Sequence, residues 1–190
     1  ALLLPDLLRN DDATYVQRFV HAYENEVITI FDTETTGLDI LYDDIVQIAA
    51  VQIKQGEMVP GSQFCVYIET HRTIPEMLGD VVNPMIEARR HQPLVAREKA
   101  MQMFMDYAQG TTLLGHNADY DVHILTANLQ RDLPHYTDLS LLNNYFDTLL
   151  LAKLLRPGLR QYKLKHLLEV LHLAGENSHL ADADVAATRE

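Results

Sequence analysis

The chain contains no tryptophan and one cysteine, Cys65. A single thiol excludes a disulfide framework and a zinc site built from cysteines. The ordinary role for Cys65 is a small apolar residue in a strand. Basic residues are scarce: 15 Lys and Arg stand against 27 Asp and Glu, a formal net charge of −12. That balance excludes a protein that grips nucleic acid by its general surface potential. It leaves room for an enzyme that gathers carboxylates around metal ions and keeps one local basic strip. No run of 18 apolar residues occurs, so no transmembrane helix and no membrane partner are expected. The opening residues Ala1-Leu2-Leu3-Leu4-Pro5 carry no basic charge and break at proline, which argues against a secretory signal. A reducing, cytoplasmic setting is the expectation.

With 190 residues, 47% of them hydrophobic, the chain is long enough for one domain with a real core. No internal repeat or low-complexity run is present. Helical spacing of Tyr15, Val16, Phe19, Val20 and Tyr23 behind an acidic cap predicts a helix from Asp11 or Asp12 to Asn25. The β-branched run at 27–32 predicts a buried strand, and further strands are predicted over 45–54 and 63–69. These three make an antiparallel meander. Residues 71–93 hold Pro75, Pro84 and Pro93 and are expected to be mostly irregular. Helices are predicted over 95–109, 119–129, 148–155, 164–173 and 182–190, with strands over 111–114 and 141–146. The fold class is therefore α/β, with a mixed five-stranded sheet in which parallel strands follow the meander and helices flank the sheet. The chain does not start with Met and its last helix has no stop signal, so it reads as a domain cut from a longer chain. Residues 1–26 read as an N-terminal helical extension or linker, and 27–190 as the main domain.

Three segments carry chemistry. In Asp32-Thr33-Glu34, at the end of the first strand, residues two apart point to one side. Asp32 and Glu34 can offer two carboxylates to one spot while Thr33 faces away. Two close carboxylates repel, and a divalent cation between them removes that cost. The second segment, Gly115-His116-Asn117-Ala118-Asp119-Tyr120-Asp121, follows a strand and opens a helix. Asp119 is placed as its N-cap, which leaves Asp121 further in, and His116 and Asn117 in the loop. In the third, His179-Leu180-Ala181-Asp182-Ala183-Asp184, Asp182 takes the cap role and Asp184 falls on the helix. A loop histidine near carboxylates can act as a general base near neutral pH.

Together these segments resemble the DnaQ-like, or DEDDh, family of 3′-to-5′ exonucleases. Residues 31–38, Phe-Asp-Thr-Glu-Thr-Thr-Gly-Leu, look like its first motif. Residues 116–121, His-Asn-Ala-Asp-Tyr-Asp, look like the second and select Asp121 over Asp119. His179, Ala181 and Asp184 look like the third and select Asp184 over Asp182. Residues 44–51, Asp147-Thr148-Leu149 and Pro157-Gly158 also resemble intervening stretches of the family. Two positions depart from it: Val185 stands where Ala commonly follows the last Asp, and Gln47 where Glu is frequent.

The resemblance implies a ribonuclease-H-like fold and hydrolysis of the terminal phosphodiester at a nucleic-acid 3′ end, DNA in preference to RNA, releasing nucleoside 5′-monophosphates. It implies two divalent metal ions, and oxygen-only ligands suit Mg²⁺ or Mn²⁺. By this likeness Asp32 bridges both ions, Glu34 and Asp184 hold the one carrying the attacking water, and Asp121 supports the second. His179 takes the proton. Thr35, Thr36, Gly37 and Leu38 contact the terminal nucleotide, with Leu38 as an apolar wedge, although Leu38 is equally suited to a core. His116 and Asn117 brace the second motif or touch a phosphate. Arg156, Arg160, Lys163 and Lys165 contact the backbone. The acidic chain is expected to need a fused or associated polymerase or helicase module to hold long polymers. The alternatives are an RNA exonuclease, resembling ribonuclease T or oligoribonuclease, and an inactive nucleic-acid-binding or partner-docking domain. A metal-dependent hydrolase of small phosphodiesters is a further one.

Overall fold

The computed structural model describes residues 12–155, 158–159, 185 and 188. The expected helix and strands over 12–54 are present as α1 (Asp12–Asn25), β1 (Val27–Thr35) and β2 (Ile45–Lys54). β1 runs three residues past Asp32. Its backbone stays paired with β2 through Asp32–Ala49, Thr33–Ile48 and Glu34–Gln47, and the register shifts only between Glu34 and Thr35. Pairing with β2 thus holds extended two acidic residues that have little strand preference of their own.

The chain continues through β3 (Glu57–Met58) and β4 (Phe64–Ile68). Residues 71–93, expected to be irregular, contain a small hairpin, β5 (Met77–Leu78) and β6 (Val81–Val82), and a short helix, α2 (Pro84–Arg90). Pro84 stands in the first turn of α2, where its missing N–H is harmless, and the Asn83 side chain caps the Met85 N–H at 3.0 Å. A proline that suggests a loop therefore marks a helix start. β7 (Leu94–Val95) pairs with β4 as an edge strand, so α3 (Arg97–Ala108) begins two residues later than its periodicity suggests. Met101 and Met105 fill the core from α3, whereas Met103 lies at the surface.

β8 (Thr112–Gly115), α4 (Ala118–Asp132), β9 (Tyr145–Asp147) and α5 (Thr148–Leu155) follow. The strand expected over 141–146 is a single 3₁₀ turn at Ser140–Asn143 and then three strand residues. The helix expected over 164–173 lies outside the described residues. Of the last helix only Val185 and Thr188 are described, and both are helical.

The sheet order is β7-β4-β2-β1-β8-β9, with β3 also on β2. It is the expected mixed sheet, widened from five strands to seven by the short β3 and β7. β1 pairs antiparallel with β2 and parallel with β8, and β8 pairs parallel with β9. Two apolar layers cover its faces. Phe31, Ile48, Phe104 and Met101 pack with Ile124, Leu125 and Leu129 of α4 on one face. Ile28, Ile30, Ala49 and Val51 pack with Tyr15, Phe146, Leu151 and Val185 on the other. α1 is part of this second layer: Tyr15 and Ala22 are buried, and Tyr15 and Phe19 each meet Phe146 edge-on with ring centroids 5.3 and 5.4 Å apart.

Candidate active site

The carboxyl ends of β1, β8 and β9 lie at one edge of the sheet, where parallel strands deliver their following loops and helix starts. Strand alternation puts Asp32 and Glu34 on the face of β1 that also carries Ile28 and Ile30. Val185, next to Asp184, is buried in that same layer. His179 and Asp184 themselves lie outside the described residues, as do Arg156, Arg160, Lys163 and Lys165.

Asp121 comes from the opposite face, in the first turn of α4, and is only 4% exposed. The Thr33 hydroxyl donates a hydrogen bond to its Oδ1. Thr33 does face away from Asp32 and Glu34 on the strand, but it is not idle: it fastens the third carboxylate to β1 between them. Gly115 permits the approach. A Cβ at this position would meet both the Phe31 carbonyl oxygen and the Ala118 side chain at 3.3 Å.

The start of α4 differs from the sequence expectation. Its N-cap is Asn117, in a left-handed conformation (φ 59°) that Asn tolerates better than most residues, and its side chain makes no capping bond. Asp119 is not the cap; it accepts a hydrogen bond from the Tyr145 hydroxyl at 2.5 Å. The capping acceptor is Asp147, distant in sequence. Its Oδ1 accepts the Asn117 N–H and the Leu149 N–H, each at 2.9 Å, so one carboxylate serves the starts of α4 and α5. Its own N–H donates to the Tyr15 hydroxyl at 2.8 Å. His116 is held by Thr148 Oγ1, 2.9 Å from Nδ1. Burial pushes the Asp147 carboxyl up to about 6, with Asp119 adding to the rise and the N–H groups of Leu149, Asn117 and Ala118 opposing it.

The 35–38 segment is also built. Thr35 Oγ1 donates to the Gly37 carbonyl at 2.8 Å, and the Tyr120 hydroxyl donates to the same oxygen at 2.8 Å. Tyr120 thus pins the loop that follows Glu34. The Thr36 hydroxyl donates to Asp43 Oδ1 at 2.8 Å, and a Cβ on Gly37 would stand 2.6 Å from Asp43 Oδ2. Leu38 is 86% exposed, so its core role is excluded.

The sequence profile described as Exonuclease matches residues 29–190. The chain belongs to the exonuclease family. It is 31% identical over 169 residues to the PolC-type DNA polymerase III of Latilactobacillus sakei, covering 87% of this chain. It is likewise 31% identical over 169 residues to that of Clostridium perfringens, covering 89%. In both cases the chain spans only 11% of the relative's length. Among solved structures it resembles E. coli exonuclease I in complex with a dA16 oligonucleotide, with a TM-score of 0.65 and 21% identity over 87% of this chain and 39% of that one. The zinc-bound exonuclease I–ssDNA complex gives a TM-score of 0.69 at 21% identity, over the same 87% and 39%. Those two likenesses establish the ribonuclease-H-like fold.

Members of this family use divalent metals. The donors here fit such ions: Asp32 and Glu34 on one face and Asp121 at the same strand end are all oxygen ligands, as hard cations require. Among the described residues no group of three or more His, Cys, Asp or Glu is arranged to hold a metal.

Two expected outcomes follow from these contacts. Thr33→Val removes a charge-assisted donor from a buried carboxylate and is expected to cost about 1.5–3 kcal/mol of stability, measured by urea denaturation. The Asp147 shift has the opposite sign to an ordinary salt-bridged carboxylate. Between the ordinary value of 3.8 and about 6 the folded form keeps the proton and the unfolded form loses it, so folding stability falls as pH rises through that window. The expected drop is about 3 kcal/mol, at 1.36 kcal/mol per pH unit. Asp147→Asn is expected to remove this slope, which denaturation at pH 4 and pH 6.5 measures.

Proposed function

We propose that this chain hydrolyses the terminal phosphodiester at the 3′ end of single-stranded or frayed DNA and releases nucleoside 5′-monophosphates, with two Mg²⁺ or Mn²⁺ ions. The observation that supports the reading is that Asp32 and Glu34 lie at the carboxyl end of β1 and that Asp121 is tied to the strand there. Asp32 and Glu34 share the face on which Val185 is packed, and Thr33 ties Asp121 to the strand between them. Asp32, Glu34, Asp121 and Asp184 would hold the ions. Bound there, such ions lower the pKa of water and neutralise charge at a leaving oxygen.

The chain's own residues do the rest. Glu34 and Asp184 hold the side on which water attacks, and His179, as neutral imidazole, accepts the proton that the water loses. The carbonyls and N–H groups around Thr35, Thr36 and Gly37 sit on a loop braced by Tyr120 and Asp43, so they meet the terminal nucleotide without reordering. Leu38, already exposed, wedges against its base. His116 and Asn117 brace the start of α4 near the next phosphate. The working unit is residues 27–190 with α1 packed on it. Its home is the cytoplasm; no helix among the described residues is long and apolar enough to cross a membrane. The relatives are DNA polymerases, and the chain's acidic charge suits a site that receives its 3′ end from a polymerase module.

The test is digestion of a 5′-labelled oligonucleotide with Mg²⁺, Mn²⁺ or EDTA. Stepwise shortening from the 3′ end of DNA, abolished by EDTA, is expected. Shortening of matched RNA alone would reassign the substrate, and no shortening of either would overturn the reading.

A further inference from the structure

Residues 36–44 leave the carboxylate-bearing end of β1 and carry three large apolar side chains into solvent: Leu38 at 86% exposure, Leu41 at 81% and Tyr42 at 64%. Scattered single exposures of this kind are common. Three within five residues, on a fixed mount, are not. The mount is built from polar contacts. Asp39 Oδ1 accepts the N–H groups of Leu41 and Tyr42 at 3.0 and 3.2 Å, and the Asp39 carbonyl accepts the Asp43 N–H at 2.7 Å. Arg131 donates to the carbonyls of Tyr42 and Asp43 at 3.3 and 2.7 Å.

Tyr42 is also held from the side. The Arg72 guanidinium carbon lies 3.9 Å from the ring centroid. Arg72 is in turn anchored through Nε to Asp44 Oδ1 at 3.2 Å, and Asp44 is only 7% exposed. One face of the ring is backed by a fixed planar cation, and the ring as a whole remains mostly in solvent.

We propose that Tyr42 is a stacking platform for a base of single-stranded nucleic acid, upstream of the 3′-terminal nucleotide, with Arg72 as the residue that positions it. The inference rests on the exonuclease reading above. Stacking suits this chain in particular. At a net charge of −12, phosphate attraction over the general surface is weak, whereas every base presents a π-face whatever its sequence. An aromatic ring already ordered by Arg72 and a braced loop loses little entropy on binding. The guanidinium beside it places one positive charge where the strand's backbone would pass.

The experiment measures binding of 5′-fluorescein oligo-dT of 2 and 12 nucleotides by anisotropy in EDTA, and KM for the same lengths in Mg²⁺, with the full chain. Tyr42→Ala is expected to weaken the 12-mer about tenfold more than the dinucleotide, in both Kd and KM. Tyr42→Phe is expected to restore parent behaviour, and Arg72→Ala to fall between. Equal behaviour of parent and Tyr42→Ala on the 12-mer would overturn the proposal, as would an equal loss on both lengths. If the parent cleaves neither length in Mg²⁺, the exonuclease reading fails. If it cleaves both and Tyr42→Ala matches it, only the platform fails.

Discussion

An Asp32→Ala protein is expected to fold and to release nucleotides at least about 10³-fold more slowly than the parent in Mg²⁺. Asp32 lies in the middle of the paired region of β1 and faces the layer holding Val185. Taking away a ligand assigned to both ions removes charge stabilisation worth several kcal/mol, and about 4 kcal/mol corresponds to three decades in rate. A second readout separates chemistry from damage. Under the proposed assignment of Asp32 as a metal ligand, Mg²⁺ should raise the parent's Tm, because a ligand that binds only the folded state stabilises it. In Asp32→Ala that rise should vanish, and the comparison of Tm with and without metal reads the loss of binding separately from any change in the fold. A variant that cleaves as fast as the parent in Mg²⁺ would remove Asp32 from the mechanism.

The largest expected loss of stability is at Asp44. Its carboxylate accepts from the Thr70 hydroxyl at 2.7 Å, and from Arg72 Nε and Arg131 Nη1 at 3.2 Å each; Arg97 Nη1 stands 3.7 Å away. Burial alone would raise its pKa. The Thr70 bond, Arg97, Arg72 and Arg131 outweigh burial, and the carboxyl is held below its ordinary value. Asp44→Ala leaves three arginines without their common partner. Removing one side of a buried ion pair costs about 3–5 kcal/mol, which for a domain of this size lowers Tm by roughly 10 °C. The sign with pH follows from the lowered pKa. The stabilisation is complete above the ordinary carboxylate value and is lost as pH falls through the folded value. The gap between parent and variant should therefore narrow on the acid side, which thermal melts at pH 7 and pH 3 measure.

The central strands and the longer helices were legible because their residues repeat with a clear period: Ile28 and Ile30 on one face, Phe31 on the other, and Val122, Leu125 and Leu129 along α4. The order of the three motifs announced the family. The sequence was silent where a contact joins residues far apart. Nothing near Asn117 shows that its helix start is capped by Asp147, thirty residues away, or that Thr33 reaches Asp121 across 88 positions. Assigning the cap to Asp119 followed a sound local preference that a long-range acceptor displaced. The hairpin and α2 were hidden because prolines read as breakers, although Pro84 occupies the one helical position that welcomes it. Asp147 was noticed as part of a family segment, but its buried position, which decides its role, has no local signature.

The Tyr15 contact bears on where the domain can be cut. A shortened protein beginning at Val27, just ahead of the region the family profile matches, would uncover Phe146 and remove the hydroxyl that receives the Asp147 N–H. That N–H would then need water where an aromatic ring had sealed it off. The frame around His116 and Asn117 would slacken without any change to the catalytic sequence itself, so the first helix, outside the shared motifs, acts as the keystone behind them.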